Sequence, residues 1–128
     1  MNALLDTHAF LWWIADDPRL SETARGFIAD GTNDVYLSVV SAWEIVVKAA
    51  VGRIELPETA SQFIPRHVTQ NGFEILPIRF THALAVADLP PVHRDPFDRL
   101  LIAQAISEGL AILTGDSEIE KYHVNIIW

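Results

Sequence analysis

Short apolar runs alternate along this chain with longer amphipathic segments, and their spacing predicts alternating strands and helices. Asn2–Leu5 reads as a first strand that closes at Asp6, and Thr7–Ala15 follows as a helix too apolar all round to stand alone on a surface. Ser21 is placed to cap a helix through Ile28, with a stop near Gly31. Val35–Val39 reads as strand two. Ser41-Ala42-Trp43-Glu44 has the form of a capping box opening a third helix, which Gly52 ends. Glu58–Thr69 reads as a helix kinked or broken at Pro65, Phe73–Ile78 as strand three, and Thr81–Ala87 as a short helix halted by Pro90-Pro91. Asp95 as cap and Pro96 in the first helical position open the clearest helix of the chain. Leu110–Leu113 is strand four, Asp116–Lys121 a short helix, and Val124–Ile127 strand five. This alternation predicts a single domain over residues 1–128, an α/β sandwich with a mostly parallel sheet.

Composition narrows the function classes. With 128 residues, half of them apolar, the chain can bury a three-layer core. Absence of cysteine excludes a disulfide framework, a thiolate metal site and a cysteine nucleophile. Asp6 interrupts the only N-terminal apolar stretch, and Val35–Val51 is broken by Ser38, Ser41, Glu44 and Lys48, so neither a signal peptide nor a membrane span is expected. The expected setting is the cytoplasm. A net charge of −8 argues against a polyanionic partner unless the acids hold a cation that bridges to phosphate.

Four carboxylates stand at changes of element. Asp6 and Asp116 close apolar runs, while Glu44 and Asp98 lie in the first turns of expected helices. Strands that neighbour one another in a parallel sheet would bring these acids to its carboxyl edge, where ligands of such sheets bind. Acids that close repel and raise one another's pKa, and a bound Mg²⁺ or Mn²⁺ relieves them. Each acid also has an ordinary reading: Asp6 and Asp116 as helix caps, Glu44 as the capping-box partner of Ser41 with Lys48 one turn on, and Asp98 as an anion at a helix N-terminus. Asp98 is the most telling, because its helix sets Gln104, Ser107 and Glu108 on a polar face and Asp98 on the other, with Leu101, Ile102 and Ala105. Thr114 adds a hydroxyl at the same strand end as Asp116. Asp95 is better explained as a cap and is held as an accessory group. Lys48, Arg53, Arg94 and Arg99 are candidate phosphate-backbone contacts. His8 and His93 lie near the acids and could touch phosphate. Trp12 and Trp13 read as core or partner-facing, with base stacking as the minor alternative.

Four segments together resemble a known family: Leu4-Leu5-Asp6-Thr7-His8, Ser41-Ala42-Trp43-Glu44-Ile45, Arg94-Asp95-Pro96-Phe97-Asp98-Arg99-Leu100-Leu101-Ile102-Ala103, and Leu113-Thr114-Gly115-Asp116. Their order and intervals are similar to those of the PIN-domain ribonucleases, and above all to the toxin subunits of VapC-like bacterial toxin–antitoxin pairs. The resemblance spans essentially the whole chain. It implies a sheet ordered 3-2-1-4-5, a homodimer, a cognate antitoxin seated in a hydrophobic groove, and a metal quartet of Asp6, Glu44, Asp98 and Asp116. It implies a Mg²⁺- or Mn²⁺-dependent endoribonuclease that hydrolyses RNA with a metal-activated water, leaving a 5′-phosphate and a 3′-hydroxyl. On this reading Asp6 and Asp116 coordinate directly, while Glu44 and Asp98 complete the shell or orient water.

Two other classes remain. A receiver-like phosphoacceptor domain has similar length, but it needs an acidic pair after the first strand and a lysine after the last. This chain has Asp6-Thr7-His8 and no lysine in Val124–Trp128. A haloacid-dehalogenase-like phosphatase wants a second aspartate where His8 stands. A catalytically silent binding subunit is the third class, and a metal titration separates it from an enzyme.

Overall fold

The computed structural model describes all 128 residues. Its elements are β1 (Asn2–Leu5), α1 (Thr7–Ile14), α2 (Glu22–Ala29), β2 (Asp34–Ser38), α3 (Val39–Ala50), α4 (Ala60–Asn71), β3 (Glu74–Leu76), α5 (Phe80–Ala85) with a following 3-10 turn at Val86–Asp88, α6 (Pro96–Glu108), β4 (Ala111–Leu113), α7 (Ser117–Glu120) and β5 (Ile126–Ile127). All strand pairs are parallel, in the order β3-β2-β1-β4-β5. The expected architecture and strand order are therefore present.

Strand alternation divides the core in two. Ala3, Leu5, Val35, Leu37, Ala111 and Leu113 face Phe10 of α1, Ala24 of α2 and Phe63, Ile64 and Val68 of α4. Leu4 and Ile112 point the other way, toward Leu101, Ile102 and Ala105 of α6 together with Ile119 and Tyr122. Strands apolar on both faces suit a parallel sheet covered on both sides. Strand β1 lies at the centre, with Leu5 in register with Leu113. The chain leaves β1 toward β2 on one side and returns as β4 on the other, so the carboxyl ends of β1 and β4 form the switch point of the sheet.

Three local expectations are corrected. Helix α3 begins at Val39, and its cap is Ser38, whose Oγ accepts from Val40 N at 2.9 Å. Ser41 is buried inside the helix with its hydroxyl unpaired, so the Ser41/Glu44 capping box does not form and Glu44 lies in the second turn. The apolar sequence Val39-Val40 extends the helix backward once Ser38 satisfies its free N–H groups. Pro65 does not break α4. Pro65 and Ser61 are both exposed, so the carbonyl that loses its bond stays in water, and the helix runs on to Gly72 at φ +65°. Gln104, expected on a polar surface, is fully buried and joins three elements: Ser38 Oγ donates to its Oε1 at 2.5 Å, and its Nε2 donates to Pro77 O at 3.2 Å.

Ser38→Ala removes a helix cap and leaves the buried Gln104 carbonyl without its donor. Loss of both interactions is expected to lower stability by about 1–3 kcal/mol. Urea denaturation followed by circular dichroism checks this, and an unchanged midpoint would contradict it.

Candidate metal centre at the carboxyl edge of the sheet

Asp6 follows β1 directly. Its backbone N–H donates to Leu113 O at 3.1 Å, which continues the β1–β4 pairing by one residue and fixes the carboxylate at the switch point. The side chain caps α1, with Oδ1 accepting from Ala9 N at 2.6 Å, and Oδ2 accepts from Thr114 Oγ1 at 2.5 Å. Thr114 also accepts from Asp116 N at 3.1 Å, so one buried hydroxyl ties the two strand-end aspartates together. Asp116 caps α7, accepting from Glu118 N at 2.9 Å. Both cap readings are correct, yet they use only part of each carboxylate, which offers about four acceptor positions.

The other two acids arrive from the helices. Glu44 is buried; Thr7 Oγ1 donates to its Oε1 at 2.5 Å, and Lys48 forms an ion pair with Oε2. Asp98 stands in the first turn of α6, where Asp95 Oδ1 accepts from Phe97 N at 2.9 Å and Asp98 N at 3.3 Å as the expected cap. His93 Nε2 donates to Asp98 Oδ2 at 2.9 Å. All four acids line one cavity of about 170 Å³, with Thr7, His8, Lys48, His93 and Asp95 and no hydrophobic residue.

The tightest convergence within it is His93, Asp98 and Asp116, whose ligand atoms all lie within 4.8 Å of one another. The sequence reading paired Asp6 with Asp116 for direct coordination. The geometry pairs Asp116 with Asp98 and adds an imidazole, while the Asp6 carboxylate is the one anchored by Thr114 and Ala9. His93 was seen in the sequence only as a phosphate contact. Its position depends on a loop contact that spacing does not reveal, in which His93 N–H donates to Tyr122 Oη at 3.0 Å.

Crowded, desolvated acids show in their proton affinity. Burial pushes Asp6 above the ordinary carboxylate range, partly offset by the Thr114 and Ala9 bonds, and the charge of Asp116 adds to the rise. Asp98 is pushed up to about 6, first by burial and then by the charges of Asp95 and Glu44, against the opposing bond from His93. A cluster of hard oxygen donors with one imidazole, under-compensated by local cations, fits a divalent ion. Asp98, Asp116 and His93 would hold it, with Asp6 bordering.

The four candidate phosphate contacts separate. Lys48 lies in the cavity but is engaged with Glu44. Arg94 is exposed beside it. Arg53 lies instead in a groove of about 610 Å³, walled by Leu11, Trp12, Ile54, Leu56 and Phe63. Arg99 is not free for RNA: Nη1 donates to Pro90 O at 2.9 Å and Tyr122 Oη at 3.1 Å, and Nη2 to Val86 O at 3.2 Å. It clamps the segment that carries His93. Trp12 borders the groove, whereas Trp13 donates to Asn71 Oδ1 at 2.9 Å on the far side of α1.

A parallel 3-2-1-4-5 sheet with acids at the β1–β4 switch point defines a class, and a family model bears it out: the PIN domain matches residues 3–125, and the chain belongs to that family. Among its relatives is Ribonuclease VapC22 of Mycobacterium tuberculosis, 30% identical over 94% of this chain and 92% of that protein. The fold is also that of VapBC2 from Rickettsia felis bound to a promoter DNA fragment, at a TM-score of 0.73 and 15% identity, covering 98% of this chain and 97% of that one. DNA-bound VapBC from Salmonella typhimurium superposes at a TM-score of 0.72 with 18% identity, over 98% and 96% of the two chains.

The raised Asp98 pKa sets the sign of a pH effect in metal-free protein. Below the unfolded value of 3.8 both states are protonated; between there and about 6 the unfolded state ionises first, so stability falls as pH rises and then levels off. Asp98→Asn is expected to remove that fall and raise stability at neutral pH by about 1–2 kcal/mol, after allowance for the solvent that reaches the group. Denaturation curves from pH 4 to 8 in chelator check it; a variant less stable than wild type at pH 7 would contradict it.

Proposed function

We propose that this PIN-domain chain is a Mg²⁺- or Mn²⁺-dependent endoribonuclease and the toxin of a type II toxin–antitoxin pair. One observation carries the reading: Asp6, Glu44, Asp98 and Asp116, drawn from four separate segments, share a small cavity with no apolar wall. The 30% identity to a VapC ribonuclease over nearly the full length of both chains supports RNA as the substrate class.

Asp98, Asp116 and His93 would hold a divalent cation, which when bound would polarise a phosphate oxygen and lower the pKa of water so that hydroxide is available to attack phosphorus. The chain's own groups do the rest. Asp6, buried in the cavity wall, keeps acceptor capacity beyond its two hydrogen bonds. Thr114 holds Asp6 and the Asp116 backbone in fixed relation. Glu44, with one oxygen on Thr7 and the other on Lys48, stands where it can orient water, and Lys48 brings a positive charge toward substrate phosphate. Arg94, exposed between the cavity residues His93 and Asp95, is our candidate for a contact with the RNA backbone. Cleavage leaves a 5′-phosphate and a 3′-hydroxyl.

Partners follow from the surface. The groove beside α1, with Leu11, Trp12, Ile54, Leu56 and Phe63, suits an amphipathic antitoxin segment, and the acid cavity suits a basic side chain on it. The solved VapBC complexes support such a partner. Exposed Trp43 and Val46 on α3, and Phe80 and Leu84 on α5, lie on two helices that both pack on α6 and support a homodimer. No helix is long and apolar enough to cross a membrane, which accords with a cytoplasmic toxin.

Asp6→Asn and Asp116→Asn are each expected to lower RNA cleavage by at least about 100-fold, with the fold intact by circular dichroism. Chelation should abolish cleavage in the wild type, and Mg²⁺ or Mn²⁺ should restore it. Cleavage that survives chelation, or full activity in either variant, would refute the assignment.

A further inference from the structure

Beside the carboxylate cavity lies a second recess of about 470 Å³ that shares Asp6, His8 and Asp116 with it. Its remaining walls are Trp12, Arg19, Gly115 and Trp128. The two indole rings meet at 54° with centroids 6.0 Å apart, and the His8 ring lies 5.6 Å from that of Trp12. Arg19 sits over Trp12 with Cζ 4.8 Å from the ring centroid. A bidentate pair with Asp17, Nε at 3.1 Å and Nη2 at 2.8 Å, holds it there and leaves Nη1 without a protein partner. Trp128 rests directly on Gly115, where a Cβ would come within 2.6 Å of the indole, so only glycine allows that seat. The cleavage chemistry uses neither indole.

We infer that this recess binds an unpaired nucleobase adjoining the phosphate to be cleaved, with Trp128 as the stacking platform and Arg19 and His8 toward the next phosphate. The inference rests on the nuclease reading above. Continuity supports it, since a phosphate held by a cation at Asp98 and Asp116 would lie beside the recess that Asp116 also lines. Chemistry supports it too. Every base has a π face, and stacking on an aromatic side chain flanked by cationic groups is how single strands are held without reading their sequence. Rings 6.0 Å apart are too close to sandwich a base, which needs about twice the ~3.4 Å rise of stacked nucleotides. The base therefore stacks on one ring with the other along its edge. Only two of the seven lining residues are hydrophobic, which suits base edges better than the apolar side chains of a peptide. The groove suited to a peptide adjoins the recess and shares His8, Trp12 and Arg19 with it, but its further walls include the apolar Leu11, Ile54, Leu56 and Phe63. A base held this way is out of a duplex, so the recess selects single-stranded RNA.

The test is a double-mutant cycle between Trp128 and the RNA. A short fluorescein-labelled single-stranded oligoribonucleotide is compared with the same strand carrying one abasic nucleotide, scanned through each position, with Ca²⁺ in place of Mg²⁺ to suppress cleavage. Trp128→Ala is expected to weaken binding of the intact strand about tenfold. At one position the abasic strand should bind wild type about tenfold more weakly and bind the variant with no further loss. Trp128→Phe should recover most of the affinity, and with Mg²⁺ the alanine variant should show a raised KM at unchanged kcat. Thermal unfolding of both variants monitors the fold. Equal, independent losses at every position would overturn the inference while the nuclease reading stands. So would an alanine variant that binds RNA normally but loses a protein partner, which would assign the recess to protein docking. A wild type that neither binds nor cleaves RNA overturns both readings.

Discussion

The crowding of carboxylates at the carboxyl edge of the β1–β4 pair is the constraint on which the rest of this structure depends. Asp6 and Asp98 are both pushed above the ordinary carboxylate range, chiefly by burial and then by the charge of Asp116 on Asp6 and of Asp95 and Glu44 on Asp98. Folding the metal-free chain therefore has an electrostatic cost, and the surrounding architecture offsets it locally. Thr114 donates to Asp6, Thr7 donates to Glu44 while Lys48 pairs with it, and His93 donates to Asp98. Each compensating group comes from a different element than its acid, except Lys48, so the sheet must be complete before the cavity exists. A charge cluster that waits for tertiary structure and lies open to a cation is the arrangement expected of a site rather than of a surface.

The same residues serve fold and site. Asp6 caps α1, Asp95 caps α6 and Asp116 caps α7, and all three line the cavity. Helix N-termini gathered around the switch point of a parallel sheet present free N–H groups to one region, and aspartate caps consume some of them while leaving oxygen atoms over. An aspartate that caps a helix thus keeps oxygen atoms with which it could hold a cation. The exception is instructive. Glu44 has no capping role, because Ser38 starts its helix, and a buried glutamate held only by Thr7 and Lys48 is the acid most in need of a functional reason.

Much of this was legible in the chain. Largely apolar runs of four to six residues located every strand, and the strand-end position of Asp6 and Asp116 pointed to the edge where the acid cavity lies, since parallel sheets bind at their carboxyl edges. What spacing could not give was long-range geometry. Ser41 has the capping-box pattern with Glu44, but Ser38 captures the helix start because its side chain also reaches Gln104, 66 residues on. Gln104 looked solvent-facing for the same reason. His93 sits in an irregular segment held by Arg99 and Tyr122, three positions no local pattern connects. Arg99, a candidate phosphate contact in the sequence, is engaged by that segment's carbonyls. Trp128 lies far in sequence from Trp12, and only the β4–β5 pairing and the bare backbone of Gly115 bring the two indoles together.

The central claim is that acids from four segments make one divalent-metal site. Crystals grown with Mn²⁺ and measured for anomalous scattering test it most directly. The account predicts a strong peak in the cavity, within about 2.3 Å of oxygens from Asp98 and Asp116 and of a ring nitrogen of His93, with Asp6 at its border. A map with no peak among these residues at saturating Mn²⁺, or with the ion bound only elsewhere on the surface, would contradict it.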